Sequence, residues 1–265
     1  MSFVLIVPND IKYMIHLRHR VGEAYCSLLC ACYVRRFVWG KRDPTISFTF
    51  DDFPRTAYNV GGAILRSFGA RATYYASVGL MNTTNEVGEL FYPGDLHDLL
   101  EDGHELGSHT FSHMSCRYAR RSVFHKDARM GRTAIEKITG QAGCGNFSYP
   151  FGHVSLVSKK MLGPEMASCR SIFPGVNGPY VDLNALKANK LYGDLSASWQ
   201  ARQLIVEAKT QRGWLIFYSH DVCAKPSAYG CTPSLLESVV SFALSHGCRV
   251  MTVGEVLGEV NVKVV

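Results

Sequence analysis

Two adjacent carboxylates and a pair of histidines are the side chains in this sequence best suited to metal chemistry. Asp51 and Asp52 follow the β-branched and aromatic run 45–50, and His109 and His113 are four residues apart. One carboxylate and two imidazoles form a three-ligand site that leaves a coordination position for water. A metal in such a site lowers the pKa of water and polarises a carbonyl oxygen. The pattern therefore predicts metal-assisted hydrolysis.

Each pair also has a structural alternative. Side chains alternate across a strand, so one aspartate can bind a metal while its neighbour faces a substrate as general base. Either aspartate could instead cap the helix predicted to begin at Ala57. Residues four apart on a helical turn project from one face, which would bring the two imidazoles of 109–113 together, although such pairs are often structural. Thr110 stands where zinc peptidases have Glu, which excludes that class.

Two further segments end strand-like runs with reactive groups. His220 follows the apolar run 214–218 and is the natural general acid for a leaving amine, with a satisfied interior histidine as the alternative. In the segment 149–152, Pro150 fixes φ and Phe151 offers a backbone N–H to an oxyanion. A plain strand-to-loop turn is the alternative for this segment.

An alternation of strands and helices is predicted to position these groups. The predicted strands are 45–50, 72–76, 146–149, 214–218 and 249–252, and the predicted helices are 57–68, 96–101, 122–139, 157–166, 197–211, 234–245 and 254–260. This order is typical of a parallel sheet with helices outside it. We expect an α/β fold with about seven strands in a closed or nearly closed barrel, where the C-terminal strand ends meet at one face.

Composition places the chain among globular proteins. It has 265 residues, 47% of them hydrophobic, which is enough for one large domain with a sizeable core. The net charge of +6 comes without a long Lys/Arg run, so nucleic-acid binding is not expected. The 9 cysteines form no CxxC pair, and we expect free thiols rather than disulfides.

The basic excess lies at the front of the chain. We divide the sequence into an N-terminal extension, residues 1–43, and a catalytic domain, residues 44–265. A solvated extension is one interpretation, and peripheral contact with an anionic membrane surface is the other. The run 24–34 falls far short of the ~20 residues that span a bilayer. No convincing signal peptide is present, so we expect a cytoplasmic protein.

Together these residues resemble the polysaccharide deacetylase family, carbohydrate esterase family 4, whose members include chitooligosaccharide and peptidoglycan deacetylases. The family's T-F-D-D motif is matched by Thr49 to Asp52, and its H-[ST]-x-x-H motif by 109–113. Its Pro-aromatic-Gly turn is matched by 150–152, and its apolar strand ending in His by His220. The resemblance covers residues 45–256.

The resemblance implies a fold, an activity and a role for each site residue. The family fold is a distorted (β/α) barrel, and the implied activity is removal of N-acetyl groups from an amino sugar, oligosaccharide or polysaccharide. Asp51 would be the base and His220 the acid, while Asp52, His109 and His113 would bind one divalent ion. Zn²⁺ is the first expectation for such ligands, and Co²⁺ or Ni²⁺ would bind the same set.

Several positions depart from the family pattern. Phe53 stands where the family has Gly after its aspartates. Ser148 and Tyr149 occupy the region of an Arg that holds the catalytic aspartate, and Arg170 is the candidate to replace that Arg.

The departures extend to the acid and the acyl pocket. Only Asp194 and Trp199 suggest the motif that tunes the acid His, and Tyr218 replaces a Leu of the acetate pocket. We expect Tyr149, Pro150, Phe151 and Tyr218 to face the substrate or the oxyanion. The changes keep two alternatives open: hydrolysis of a non-sugar amide or cyclic imide, and a non-catalytic carbohydrate-binding protein on the same fold.

Overall fold

A curled parallel sheet with helices around it forms the body of the protein. A computed structural model describes residues 35–40, 42–140 and 145–260, together with Leu29 and Cys32. The strands are β1 (Arg36–Val38), β2 (Thr45–Asp51), β3 (Ala72–Ala76), β4 (Thr84–Asn85), β5 (Gly88–Glu89), β6 (Glu105–Ser108), β7 (Asn146–Ser148), β8 (Ser168–Arg170), β9 (Tyr180–Asp182), β10 (Asn189–Lys190), β11 (Trp214–Ser219) and β12 (Arg249–Val250).

The helices cover the outside of this sheet. They are α1 (Ala63–Ser67), α2 (Pro93–Glu101), α3 (Arg121–Thr139), α4 (Leu156–Leu162), α5 (Ser198–Gln211), α6 (Pro233–Ser245) and α7 (Val253–Glu259). A π-helical stretch, Ala57–Gly62, leads directly into α1. Glycines in left-handed geometry close several of them, for example Gly140, which has a φ of 69° after α3.

All strand pairs of the main sheet are parallel. Their order is β10-β11-β2-β3-β6-β7-β8, and β12 also pairs with β2. The gap between β8 and β10 is bridged by the irregular chain before β10. Ser171 N donates to Leu186 O at 2.9 Å, and Leu191 N donates to Tyr218 O at 2.9 Å. The predicted distorted α/β barrel is therefore confirmed, and an irregular segment takes the place of a strand between β8 and β10.

The central strands are the most deeply buried elements. Every residue of β2 and of β11 is buried. Phe48 and Phe217 stack across this pair with ring centroids 5.7 Å apart. Because helices cover the outer face and side chains fill the interior, β11 reads as a continuous apolar run. Strand β2 alternates Thr and Ser with Ile and Phe, and its small polar side chains are buried as well.

Short elements account for the differences from the prediction. The sequence did not predict β8 and β10, which have 3 and 2 residues and lack a long apolar run. The predicted helix 157–166 ends at Leu162, and the predicted strand 249–252 ends at Val250.

Part of the predicted N-terminal extension packs on the domain. Strand β1 pairs antiparallel with β9. The Lys159 ammonium, on α4, donates to Leu29 O and Cys32 O at 2.9 and 2.7 Å and pairs with Asp182 Oδ2 at 2.6 Å. Most of residues 1–43 lies outside the described residues, and so does the predicted membrane contact. Within the described part of the chain, every helix is too short or too polar to cross a membrane.

The cysteines in the described part of the chain are free thiols, as expected. They are Cys32, Cys116, Cys169, Cys223, Cys231 and Cys248.

Replacing Lys159 tests how firmly this N-terminal segment is attached. Lys159→Ala removes a fully buried cation from between the Asp182 carboxylate and two carbonyl oxygens. We expect the free energy of unfolding to fall by about 3–5 kcal/mol, since breaking a buried ion pair leaves a charge uncompensated. Urea unfolding followed by circular dichroism measures the change. The neighbouring exposed Lys160 provides the control, and an equal effect of Lys160→Ala would contradict the interpretation.

Candidate metal and active site

A cleft of about 390 Å³ opens at the C-terminal ends of the central strands. This is the end of a parallel barrel where catalytic side chains meet. Its walls are formed by Asp51, Asp52, Glu86, Val87, His109, His113, Phe151, Gly152, Ile172, Tyr192, Tyr218, His220 and Tyr229. The structure therefore brings together the two aspartates and three histidines that the sequence singled out.

Asp52, His109 and His113 form a cluster able to hold a metal ion. One ligand atom from each lies within 4.8 Å of the others. His113 Nε2 is 3.3 Å and His109 Nε2 is 3.7 Å from Asp52 Oδ1. Asp52 and His109 are buried, and His113 is partly exposed toward the cleft.

The hydrogen bonds around this cluster fit a metal. Asp52 Oδ1 is buried and has no hydrogen-bond partner among the described residues. His109 Nδ1 lies 2.8 Å from Ser148 O, and because a carbonyl only accepts, Nδ1 carries the proton and Nε2 presents its lone pair. Metal-ligating histidines typically donate their other nitrogen to a carbonyl in this way. The three residues thus have the donor set and orientation that a divalent ion requires.

The two histidines lie on a loop, so the predicted helical turn is wrong. Thr110 and His113 have φ values of 62° and 55°, outside the helical region. The loop is held instead by Asp127 on α3, whose Oδ2 accepts from Phe111 N and Ser112 N, both at 3.1 Å. The imidazoles converge because of this tertiary contact rather than because of local periodicity. The sequence carried no signal for Asp127.

Close packing of α3 against the loop depends on one glycine. A Cβ at Gly131 would lie 2.5 Å from the carbonyl carbon of Thr110. Only glycine lets the helix approach the loop backbone this closely, so Asp127 can reach the amides.

Asp51 makes a buried ion pair with Arg170. Arg170 Nη2 contacts both carboxylate oxygens, at 2.5 Å for Oδ2, and also contacts Ser148 Oγ at 2.5 Å. Ser148 and Arg170 are register partners on β7 and β8, so the small serine leaves room for the guanidinium. Arg170 thus reaches the aspartate from the strand next to the one that carries the family's Arg region.

The two adjacent carboxylates have opposite electrostatic environments. Burial raises the pKa of Asp51, but Arg170, His109 and His220 more than offset it and lower that pKa to about 2. Burial raises the pKa of Asp52 to about 6, since His220 only partly opposes the effect. Burial also lowers the pKa of His109 to about 3, which keeps its imidazole neutral at pH 7. Asp51 is therefore a stable anion, and Asp52 is the carboxylate that lacks a cation.

His220 faces the cluster from the end of β11. Its Nδ1 lies 3.2 Å from Tyr229 O, so Nδ1 is the donor and Nε2 is available to a substrate. The rings of Tyr229 and Tyr192 pack near it, with centroids 5.6 and 6.1 Å away. Asp221 points elsewhere and accepts from Ser227 N at 2.8 Å.

Besides Arg170, which is buried behind Asp51, four predicted site residues lie outside the walls of the cleft. Tyr149 is buried in a separate core cluster, where its hydroxyl donates to Asn184 O at 3.0 Å. Pro150 is buried in the turn behind Phe151. Asp194 accepts from Ser196 N at the start of a 3-10 turn, and Trp199 is 66% exposed on α5. Asp194 and Trp199 therefore lie away from His220, whose Nδ1 partner is a backbone carbonyl instead.

Left-handed backbone geometry follows β2. Asp52 and Phe53 have φ values of 60° and 54°, where glycine is normally favoured. Phe53 is fully buried and stacks on Phe91 with centroids 5.0 Å apart, a contact that offsets the backbone strain. The following helix takes Thr56 as its N-cap with no side-chain bond, so the structure excludes the alternative of a capping aspartate.

Five cleft residues were not predicted from the sequence. Glu86 and Val87 lie at the tip of the β4–β5 hairpin, while Ile172, Tyr192 and Tyr229 come from loops. Loop residues of this kind have no periodicity that marks them.

Comparison with known proteins agrees with this geometry. The family model described as polysaccharide deacetylase matches residues 40–162, which include both aspartates and both metal-site histidines. Over these residues, a little under half of its length, the chain is similar to the polysaccharide deacetylase family. No curated protein matches the chain.

Solved structures of this deacetylase class share the fold of the chain. The Xyl-CE4 domain of a xylanase from the hindgut metagenome of Trinervitermes trinervoides is 16% identical, with a TM-score of 0.60, over 84% of this chain and 94% of that one. The chitin deacetylase of Colletotrichum lindemuthianum is 20% identical, with a TM-score of 0.57, over 84% and 91%. A family 4 acetyl xylan esterase from Clostridium thermocellum, in complex with cobalt, is 18% identical, with a TM-score of 0.56, over 83% and 93%.

Metal binding by the Asp52–His109–His113 cluster can be tested directly. Asp52→Ala and His113→Ala each remove one of the three candidate ligands. Loss of a residue that only supports a ligand typically lowers metal affinity by up to about 100-fold. We expect the affinity for Zn²⁺ or Co²⁺ to fall by more than that. Calorimetric titration of protein freed of metal by chelation measures this. The matched control is Asp51→Asn, which should keep its affinity because Asp51 faces Arg170. Affinity lost only in the control would show that the ligand assignment is wrong.

Proposed function

We propose that this protein is a metal-dependent hydrolase that removes N-acetyl groups from N-acetylated amino sugars in oligosaccharides or polysaccharides. The observation that carries the proposal is the convergence in one cleft of three metal-ligand side chains, the Asp51–Arg170 pair and His220. The family match and the deacetylase fold support the substrate class.

Asp51 is suited to the role of general base. Its carboxylate lines the cleft, and its depressed pKa keeps it ionised and ready to accept a proton from water. Arg170 fixes its orientation through contacts to both oxygens and is itself fully buried between the rings of Tyr75 and Tyr218. Arg170 is thus a positioning residue for the base.

His220 and Phe151 supply the remaining groups. His220 donates Nδ1–H to Tyr229 O, so Nε2 can carry a proton to the departing amine. The backbone N–H of Phe151, at the left-handed turn on the cleft wall, is the candidate donor to the acyl oxygen. A divalent ion held by Asp52, His109 and His113 would supply Lewis-acid polarisation of the acyl group and a lower pKa for water.

The structure weakens the alternative of a non-catalytic carbohydrate-binding protein. It rested on the missing family Arg, and Arg170 supplies a guanidinium to the same aspartate. Hydrolysis of a small amide or imide is disfavoured by the open cleft with exposed aromatic side chains at Phe151 and Tyr229, which suits a larger saccharide.

Acetate release from N-acetylglucosamine oligomers tests the proposed function. The protein loaded with Zn²⁺ or Co²⁺ should release acetate and free amine, and chelation should abolish the release. Asp51→Asn should lower kcat by about 10²–10⁴-fold, the usual contribution of a general base. Asp194→Asn, outside the cleft, is the matched control and should retain wild-type rates. The proposal fails if metal-loaded protein releases acetate from no acetylated saccharide while a small-amide panel is hydrolysed.

The role of Arg170 predicts a pH effect. Arg170→Met removes the cation that opposes burial at Asp51, so the pKa of Asp51 should rise from about 2. Because the reaction needs ionised Asp51, the acid limb of kcat/KM should move to higher pH, with activity lost first at low pH. Arg170→Lys keeps a charge and should shift the limb less. The pH profile of kcat/KM measures the position of the acid limb for each variant. If the rates fall but the acid limb stays where it is, Arg170 has a structural role only.

A further inference from the structure

A row of aromatic rings leads from the candidate metal site to the protein surface. The ring of the metal-site residue His113 lies 4.4 Å from that of Phe151, measured between centroids. Phe151 lies 5.7 Å from His153, and His153 lies 5.5 Å from Tyr118. We call Phe151, His153 and Tyr118 the aromatic track.

The track is exposed at both ends. Phe151 is 59% and Tyr118 is 80% exposed to solvent. Single exposed apolar side chains are ordinary on protein surfaces. A contiguous row that begins beside a catalytic cleft is not, because exposed rings gain nothing for the stability of the fold.

The two inner residues of the track, Phe151 and His153, are nevertheless held in place. Phe151 and Gly152 both adopt positive φ, 59° and 65°, and a Cβ at Gly152 would lie 2.2 Å from Ile172. His153 Nδ1 is 2.7 Å from Ser115 Oγ, and Cys116 Sγ donates to His153 O at 2.9 Å. Exposed but rigid rings bind a ligand without a large loss of side-chain entropy.

A saccharide chain is the occupant that this surface fits best. The C–H face of a pyranose ring packs on an aromatic face while its hydroxyl groups stay in water, which suits a track one ring wide. The exposed Arg117 lies next to Tyr118 in the chain, so a lipid surface would have to desolvate its guanidinium. The track is also continuous with the cleft through Phe151.

We propose that the aromatic track binds the sugar units of an oligomeric substrate that lie beyond the unit being deacetylated. Tyr118 is then the outermost contact, and the enzyme prefers saccharides long enough to reach it. This inference rests on the proposed function, since the direction of the chain is set by the acetamide at the metal site. It assigns a specificity-determining role to residues that touch neither the metal nor the reacting acyl group.

A chain-length series tests the track. With N-acetylglucosamine oligomers of two to six units, Tyr118→Ala should lower kcat/KM for the longest on the order of 10-fold, mainly through KM, and leave the dimer unchanged. Tyr118→Phe should retain wild-type behaviour because it keeps the ring. Tyr180→Ala is the control, since Tyr180 is also exposed but lies on β9 against Arg36. An equal loss for every chain length, or none for the hexamer, would overturn the proposal.

A binding measurement separates this inference from the proposed function. Asp51→Asn protein keeps the track but lacks the base, so hexamer binding can be titrated by calorimetry without turnover. We expect the additional Tyr118→Ala change to weaken that binding on the order of 10-fold. Tyr118-dependent binding without acetate release from any saccharide by the wild type would sink the proposed function alone. Acetate release with binding indifferent to Tyr118 would sink the track alone.

Discussion

The arrangement of this site depends on the burial of two adjacent carboxylates at the end of one strand. Neither Asp51 nor Asp52 can stay ionised in a buried position without a positive partner, and two like charges side by side raise the cost further. Arg170 compensates Asp51 from the end of β8, four strands away from β2 in the order of the sheet. Asp52 is left with a buried oxygen that has no hydrogen-bond partner among the described residues, beside two neutral imidazoles. A divalent cation bound there would compensate the charge of Asp52 as Arg170 compensates that of Asp51.

This division gives two chemically identical side chains different roles. The aspartate beside the guanidinium is held as an anion, and the aspartate without one is available to bind a divalent cation. The backbone around the cleft also adopts unusual conformations. Asp52, Phe53, Thr110, His113 and Phe151 all have positive φ, and all lie at or beside the cleft. Strained backbone of this kind persists only where surrounding packing fixes it, as Asp127 and Gly131 do for the histidine loop.

Elements whose pattern lies within one stretch of sequence could be predicted, and features that depend on contacts between distant segments could not. Strand β11 was predicted because burial on both faces gives a long apolar run, and β2 because it is rich in β-branched and aromatic residues. Helix α3 was predicted because its periodicity ends at a glycine. The short strands β8 and β10 left no such pattern. The helical turn expected at 109–113 failed because spacing alone does not show whether a segment is a helix or a loop held from elsewhere.

By itself, the sequence determined the fold class and the side chains that could bind a metal, because burial patterns and residue chemistry are local properties. Tertiary structure alone decided that Arg170 neutralises Asp51, that Asp127 shapes the histidine loop and that Asp194 and Trp199 lie apart from His220. These outcomes depend on strand register and on contacts between residues distant in the chain. Such contacts are set by the packing of whole elements, which no short stretch of sequence encodes.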